Sequence, residues 1–142
     1  ESAKEYEKRH RTLLEQIAES IEQLNHVYLK YAALIIEGIR VTDREEEWAA
    51  DRKAELEIVK SEFFSTFKEL TSAESKLLLI GEKEAHLKMR ELGESLVQFR
   101  RTCSLSRVGI TEKDVEDKKD AIRSLREQLY SLLSNTYQSN FV

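Results

Sequence analysis

Not one of the 142 residues is proline, and only four are glycine. An average composition of about 5% proline would supply roughly seven. Proline removes a helical hydrogen bond and clashes with the preceding turn, and glycine has the next poorest helix propensity. A chain that avoids both is suited to long, uninterrupted helices. Its 35% charged and 40% hydrophobic residues suit helices with one buried stripe and one solvated face. The apolar residues recur with regular spacing, which separates the chain from disordered sequences of similar charge. The expected class is therefore all-α: an antiparallel, up-down-up-down four-helix bundle with a long first hairpin. At this length the chain is expected to form one domain, residues 1–142, with a sizeable core.

The spacing predicts helices over about 3–37, 43–79, 82–104 and 111–136. In the first, Tyr6, His10, Leu13, Ile17, Ile21, Leu24, Tyr28, Tyr31 and Ile35 recur at steps of three and four and share one face. Gly38 then reads as a residue just past a helix end. Thr42 with Glu45 reads as a capping box for the second helix, with Asp43, Glu45, Glu46 and Glu47 at the positive end of the dipole. That helix runs through Trp48, Arg52, Leu56, Val59, Phe63, Phe67 and Leu70. Thr71 with Glu74 repeats the box pattern, yet Ala73, Leu77 and Ile80 keep the spacing, so continuation to Gly81 is preferred. Phe63 and Phe64 point about 100° apart, so one of them is expected to leave the core stripe.

In the third helix Ala85, Met89, Leu92, Leu96, Phe99 and Cys103 alternate steps of four and three, a coiled-coil seam pattern. Gly93 inside it suggests close approach of a neighbour. Thr111 with Asp114 marks the start of the fourth helix, whose stripe is Val115, Ile122, Leu125, Leu129, Leu132 and Leu133. The tail from Asn135, with Tyr137 and Phe141, is expected to fray. Helices of about 35 residues beside shorter ones leave part of the long hairpin projecting. Its apolar stripe then needs a second chain or an upstream segment to cover it, which points to self-association.

The net charge of −4 argues against a nucleic-acid partner. Cys103 is the single cysteine, so no internal disulfide forms. The longest apolar run, Tyr31 to Ile36, is far short of the roughly 20 residues of a membrane span. The first residue is Glu1 rather than Met, so the chain is expected to be a fragment or processed form of a longer protein. A membrane anchor upstream is one candidate, and the basic residues Lys8, Arg9 and Arg11 would then lie beside it.

Di-iron bundles need two Glu-x-x-His pairs, and this chain has one, Glu7 with His10. Glu22 with His26 and Glu82 with His86 are spaced by four. The expected reading is that His10 borders the core and that His26 and His86 are solvated, with no metal. Cys103 ends an apolar stripe and reads as a small core residue, not a nucleophile. Arg100, Arg101 and Arg107 complement the dipole at the end of the third helix, with contact to phosphate, anionic lipid or nucleic acid as the alternative. Glycine-rich phosphate loops, Gly-x-Ser-x-Gly, His-Glu-x-x-His and Cys-x-x-Cys patterns do not occur. No catalytic, cofactor-binding or metal residue is assigned, and no cofactor is expected.

The long first helix and the stretch Lys76-Leu77-Leu78-Leu79-Ile80-Gly81-Glu82 resemble the helical domains that follow a single membrane helix in some bacterial proteins. The resemblance implies a soluble domain tethered to a membrane. The expected function is a non-enzymatic structural or protein-interaction bundle, forming a homo-oligomer or binding a helical partner. The alternatives are a ligand-binding or sensory bundle, with Tyr28, Tyr31 or Arg52 lining a pocket, and a carboxylate–histidine metal site.

Overall fold

The computed structural model describes residues 2–139. Four helices make up the fold: α1 (Ala3–Asp43), α2 (Ala50–Leu79), α3 (Lys83–Thr102) and α4 (Glu112–Ser139). Sequential helices are neighbours, and α4 closes the ring against α1. Lys30 pairs with Glu62 and Glu37 with Arg52, so α1 and α2 run antiparallel. Along α1 and α4, Arg40 meets Glu112, Glu22 meets Tyr130 and Glu15 meets Tyr137. Each step forward on α4 is thus a step back on α1, over nearly the whole of α4. This is the up-down-up-down bundle expected from the periodicity.

The core lies along the axis. Ile17, Ile35, Val59, Leu77, Phe99, Val115 and Leu129 have no exposed surface, and each such side chain contributes about 1.5–3 kcal/mol through burial. Rings cluster at mid-height. Phe99 meets Tyr28 edge-on at 5.2 Å and Tyr31 at 5.9 Å, and Tyr31 stacks on Phe63 at 5.8 Å. All six stripe residues of the third helix are buried. Phe63 faces the core and Phe64 faces solvent, which resolves the adjacent pair.

The first connection differs from the expectation. Helix α1 does not stop at Gly38 but continues to Asp43, and α2 begins at Ala50 rather than 43. Gly38 is a helix-interior residue, and the side chain of Leu105 lies over it where a Cβ would stand. Thr42 forms no capping box, because its hydroxyl donates back to the Gly38 carbonyl at 2.9 Å within α1. The helix ends in a Schellman motif, with Glu46 N–H on Val41 O and Glu45 N–H on Thr42 O. Glu45 takes the left-handed position there, at φ +56°. The acidic run is therefore a turn and not a first helical turn. Trp48 precedes α2 and donates its indole N–H to Glu37 at 2.6 Å.

The second connection follows the expectation. α2 continues past Thr71 to Leu79, and Gly81 at φ +79° closes the same Schellman pattern, with Gly81 N–H on Leu78 O and Glu82 N–H on Leu77 O. The Thr111–Asp114 capping box also forms, at 3.0 and 3.1 Å. The tail is helical to Ser139 and does not fray there. Tyr137 donates to Glu15 and accepts from Arg11, which pins it to α1. Phe141 lies outside the described residues.

The expected projecting stripe is not found. α1 is buried from His10 to Val41 within this one chain. α3 is short, but residues 103–111 fold over the space beyond its end and set Leu105 and Ile110 against the core. At the other end the last turn of α4 reaches Arg11 and Glu15 through Tyr137, and of the stripe only Tyr6 is left exposed before His10.

Candidate functional site

Three histidines were candidate ligands, and the fold separates them. His10 is buried, with its ring edge-on to Tyr6 at 5.7 Å and Nε2 without a hydrogen-bond partner among the described residues. His26 is exposed. His86 is not solvated as expected: its side chain is 13% exposed and its Nε2 lies 3.2 Å from Glu74, on the facing helix. Among the described residues no group of three or more His, Cys, Asp or Glu is placed to hold a metal ion.

Cys103 is buried, and its N–H donates to the Phe99 carbonyl at the end of α3. Burial pushes its thiol up, away from the thiolate that nucleophilic chemistry needs. The three arginines near it part company. Arg107 donates to the Thr102 carbonyl at 3.2 Å, complementing the helix end. Arg100 turns outward over the Phe64 ring, 5.4 Å from its centroid. Arg101 is exposed on the α2–α3 groove.

Of the three pocket candidates, Tyr28 is buried with its hydroxyl unpartnered, and burial pushes its pKa up. Arg52 is not on the core stripe. It is exposed and grips Glu37 through two bonds of 3.0 Å. Tyr31 alone reaches a cleft.

That cleft is a notch of about 550 Å³ where α3 ends and leaves α2 uncovered, lined by Tyr31, Lys60, Ser61, Phe64, Arg100 and Ser104 among others. Among the described residues Tyr31, Ser61, Ser65 and Arg100 make no side-chain hydrogen bond or ion pair there, whereas Lys60 pairs with Glu57 at 3.2 Å. The sequence marked Tyr31 by its periodicity and Arg100 by the basic cluster at the end of the third helix. The outward member of the Phe63–Phe64 pair was the remaining signal, and the serines carried none.

A larger groove of about 610 Å³ between α1 and α4 is occupied by a polar clamp. Arg126 and Tyr130 both bond Glu22, and Tyr130 also reaches the Ala18 carbonyl at 3.1 Å. These contacts hold α4 in register, although the buried Nε of Arg126 has no hydrogen-bond partner among the described residues.

Exposed large hydrophobic side chains are unevenly spread. Leu78, Leu79 and Leu87 flank the α2–α3 turn at 54%, 84% and 57% exposure, and Tyr6 lies at the same end of the bundle. Leu29, Ile58, Phe64 and Val108 are spread elsewhere. The run Leu77 to Ile80 was visible in the sequence, but periodicity did not show that two of its leucines face water. No helix among the described residues is long and apolar enough to cross a membrane.

No protein-family model matches the chain, and no curated protein and no solved structure matches it.

Proposed function

We propose that the chain is a non-enzymatic interaction bundle that binds a second helical chain, another copy or a different protein, through its α2–α3 end. The observation that carries this is the grouping of Leu78, Leu79 and Leu87 in solvent around one turn. Single exposed apolar residues are ordinary, but grouped ones favour a partner that removes them from water. The Schellman turn at Gly81 holds these leucines on a fixed frame, so little ordering cost accompanies docking. The start of α1 belongs to the same end. An anchor upstream of Glu1, as in the domains the chain resembles, would hold this end near a bilayer.

The test is sedimentation equilibrium of the wild type beside a Leu79→Lys/Leu87→Lys variant. Concentration-dependent association is expected in the wild type and not in the variant, at matched melting temperature. A monomeric wild type, together with no protein recovered by it that the variant fails to recover, would end this reading.

A further inference from the structure

The notch at the end of α3 lies far from the α2–α3 turn and is independent of the interaction reading. Three features set it apart from the other surface clefts. Its hydroxyls are uncommitted: Tyr31, Ser61 and Ser65 line it and bond to nothing else among the described residues. Its cations are in excess. Its lining sets Lys60 and Arg100 against Glu57 alone; Glu57 is answered by Lys60, and Arg100 has no carboxylate partner among the described residues. Finally, it offers a flat apolar wall, since Phe64 is 55% exposed beneath Arg100. Other clefts lack this combination. The α1–α4 groove is lined by Glu19, Glu22 and Glu127 beside Arg126, with the Tyr130 hydroxyl already bonded to Glu22, and the α2–α3 groove carries Glu74 and Glu94 beside its arginines.

We propose that this notch binds a small organic oxyanion, a phosphate monoester or carboxylate joined to a flat apolar group. The Arg100 guanidinium supplies a planar fork of N–H donors that fits either oxyanion. The hydroxyls of Tyr31, Ser61 and Ser65 supply neutral donors around it. The apolar part of the ligand lies against the exposed part of Phe64, beside the Arg100 guanidinium 5.4 Å from the ring centroid. The site exists because α3 stops at Thr102 while α2 continues, so a turn of α2 that would otherwise be covered faces solvent.

Amide-resolved NMR titration with phenyl phosphate, benzoate and inorganic phosphate tests this. Saturable shifts are expected in residues 61–65 and 100–104 with the two aromatic anions, and the tighter of the two identifies the headgroup. Arg100→Gln should weaken binding about tenfold, the loss of one charge-assisted contact. Arg101→Gln, on the neighbouring groove, should leave it unchanged. Phe64→Ala should weaken phenyl phosphate more than inorganic phosphate. All three positions are exposed, so unchanged melting temperatures verify the variants. Absence of saturable shifts at millimolar probe, or equal binding by Arg100→Gln and wild type, overturns the proposal.

Discussion

The Tyr130 hydroxyl lies 3.1 Å from the Ala18 carbonyl and 2.8 Å from the Glu22 carboxylate, and its one proton serves both. This contact fixes the register of α4 on α1, because it joins a side chain of one helix to the backbone of the other. The cation of Arg126 lies over the Tyr130 ring at 5.0 Å and bonds the same Glu22. A slip of one helical turn would break all of these contacts together. Tyr130→Phe keeps the ring and removes the bond, so stability should fall by about 1 kcal/mol. A urea midpoint unchanged from wild type would show that the ring alone sets the register.

The glycines give opposite expectations at different sites. At Gly93 an added Cβ would meet Leu70 Cδ2 and Phe67 Cζ at 3.7 Å, which is ordinary contact. Gly93→Ala should therefore gain about 0.5–1 kcal/mol from helix propensity. At Gly81 the φ of +79° is unfavourable for a side chain, and Gly81→Ala should lose about 1 kcal/mol. Thermal melts of the two variants should move in opposite directions. Close approach at Gly93, expected from the sequence, is thus looser than at Gly38, where Leu105 Cδ1 would stand 2.5 Å from an added Cβ.

Glu45 occupies the position that Gly81 occupies in the other Schellman turn, and it does so with a side chain at φ +56°. Glu45→Gly should relieve that strain and stabilise the chain by about 0.5–1 kcal/mol, after the greater freedom of glycine in the unfolded state is counted. A lowered midpoint would mean that Glu45 makes a compensating interaction in the turn.

That turn also explains which parts of the fold were legible in the sequence. The apolar stripe of α3 could be read because it recurs without interruption and all six of its residues are buried; in α4 Val115, Ile122, Leu129 and Leu133 are buried, and Leu125 and Leu132 are partly buried against the core. The end of α1 could not be read, because its stop signal is a glutamate in a glycine position, and the nearby glycine, Gly38, serves packing instead. Thr42 and Glu45 matched a capping box in spelling, but the hydroxyl had a nearer acceptor in its own helix. The short α3 misled in another way. Periodicity counts helix lengths but not what a nine-residue loop can cover, and here Leu105 and Ile110 do the work assigned to a second chain. The notch could not be read either, because periodicity does not show which outward residues of α2 meet the last turn of α3.

Acid should weaken the bundle through its clamps. Burial pushes the Glu22 carboxyl up, but hydrogen bonds from Arg126 and Tyr130 outweigh it and hold the group below the usual carboxylate range. The Arg52 bond does the same for Glu37, aided by Trp48. A carboxyl depressed in the folded state binds fewer protons there than in the unfolded chain. Its contribution is complete above the unfolded value, near 4.5, and is lost as pH falls through the lower folded value. Melting temperature should hold from neutrality to about pH 5 and decline below it. Glu22→Gln and Glu37→Gln should each make that decline shallower. Both pairs are partly exposed, so solvent screening keeps each effect small.

Tyr28 gives the sharpest expectation, because its ring and its hydroxyl act in opposite directions. The ring is 2% exposed and edge-on to Phe99, at the centre of the aromatic cluster. The hydroxyl is buried with no hydrogen-bond partner among the described residues. Leaving such a group unmatched costs about 1–3 kcal/mol. Tyr28→Phe removes the unmatched oxygen and keeps the packing, so it should leave stability unchanged or raise it by up to about 1 kcal/mol. Phe99→Ala, which deletes a fully buried ring that both Tyr28 and Tyr31 touch, should cost about 3–5 kcal/mol. Chemical denaturation of the two variants separates the contributions. A loss near 1 kcal/mol in Tyr28→Phe would mean the hydroxyl is satisfied in solution by an ordered water, and the aromatic cluster would then enclose a polar site, not a dry one.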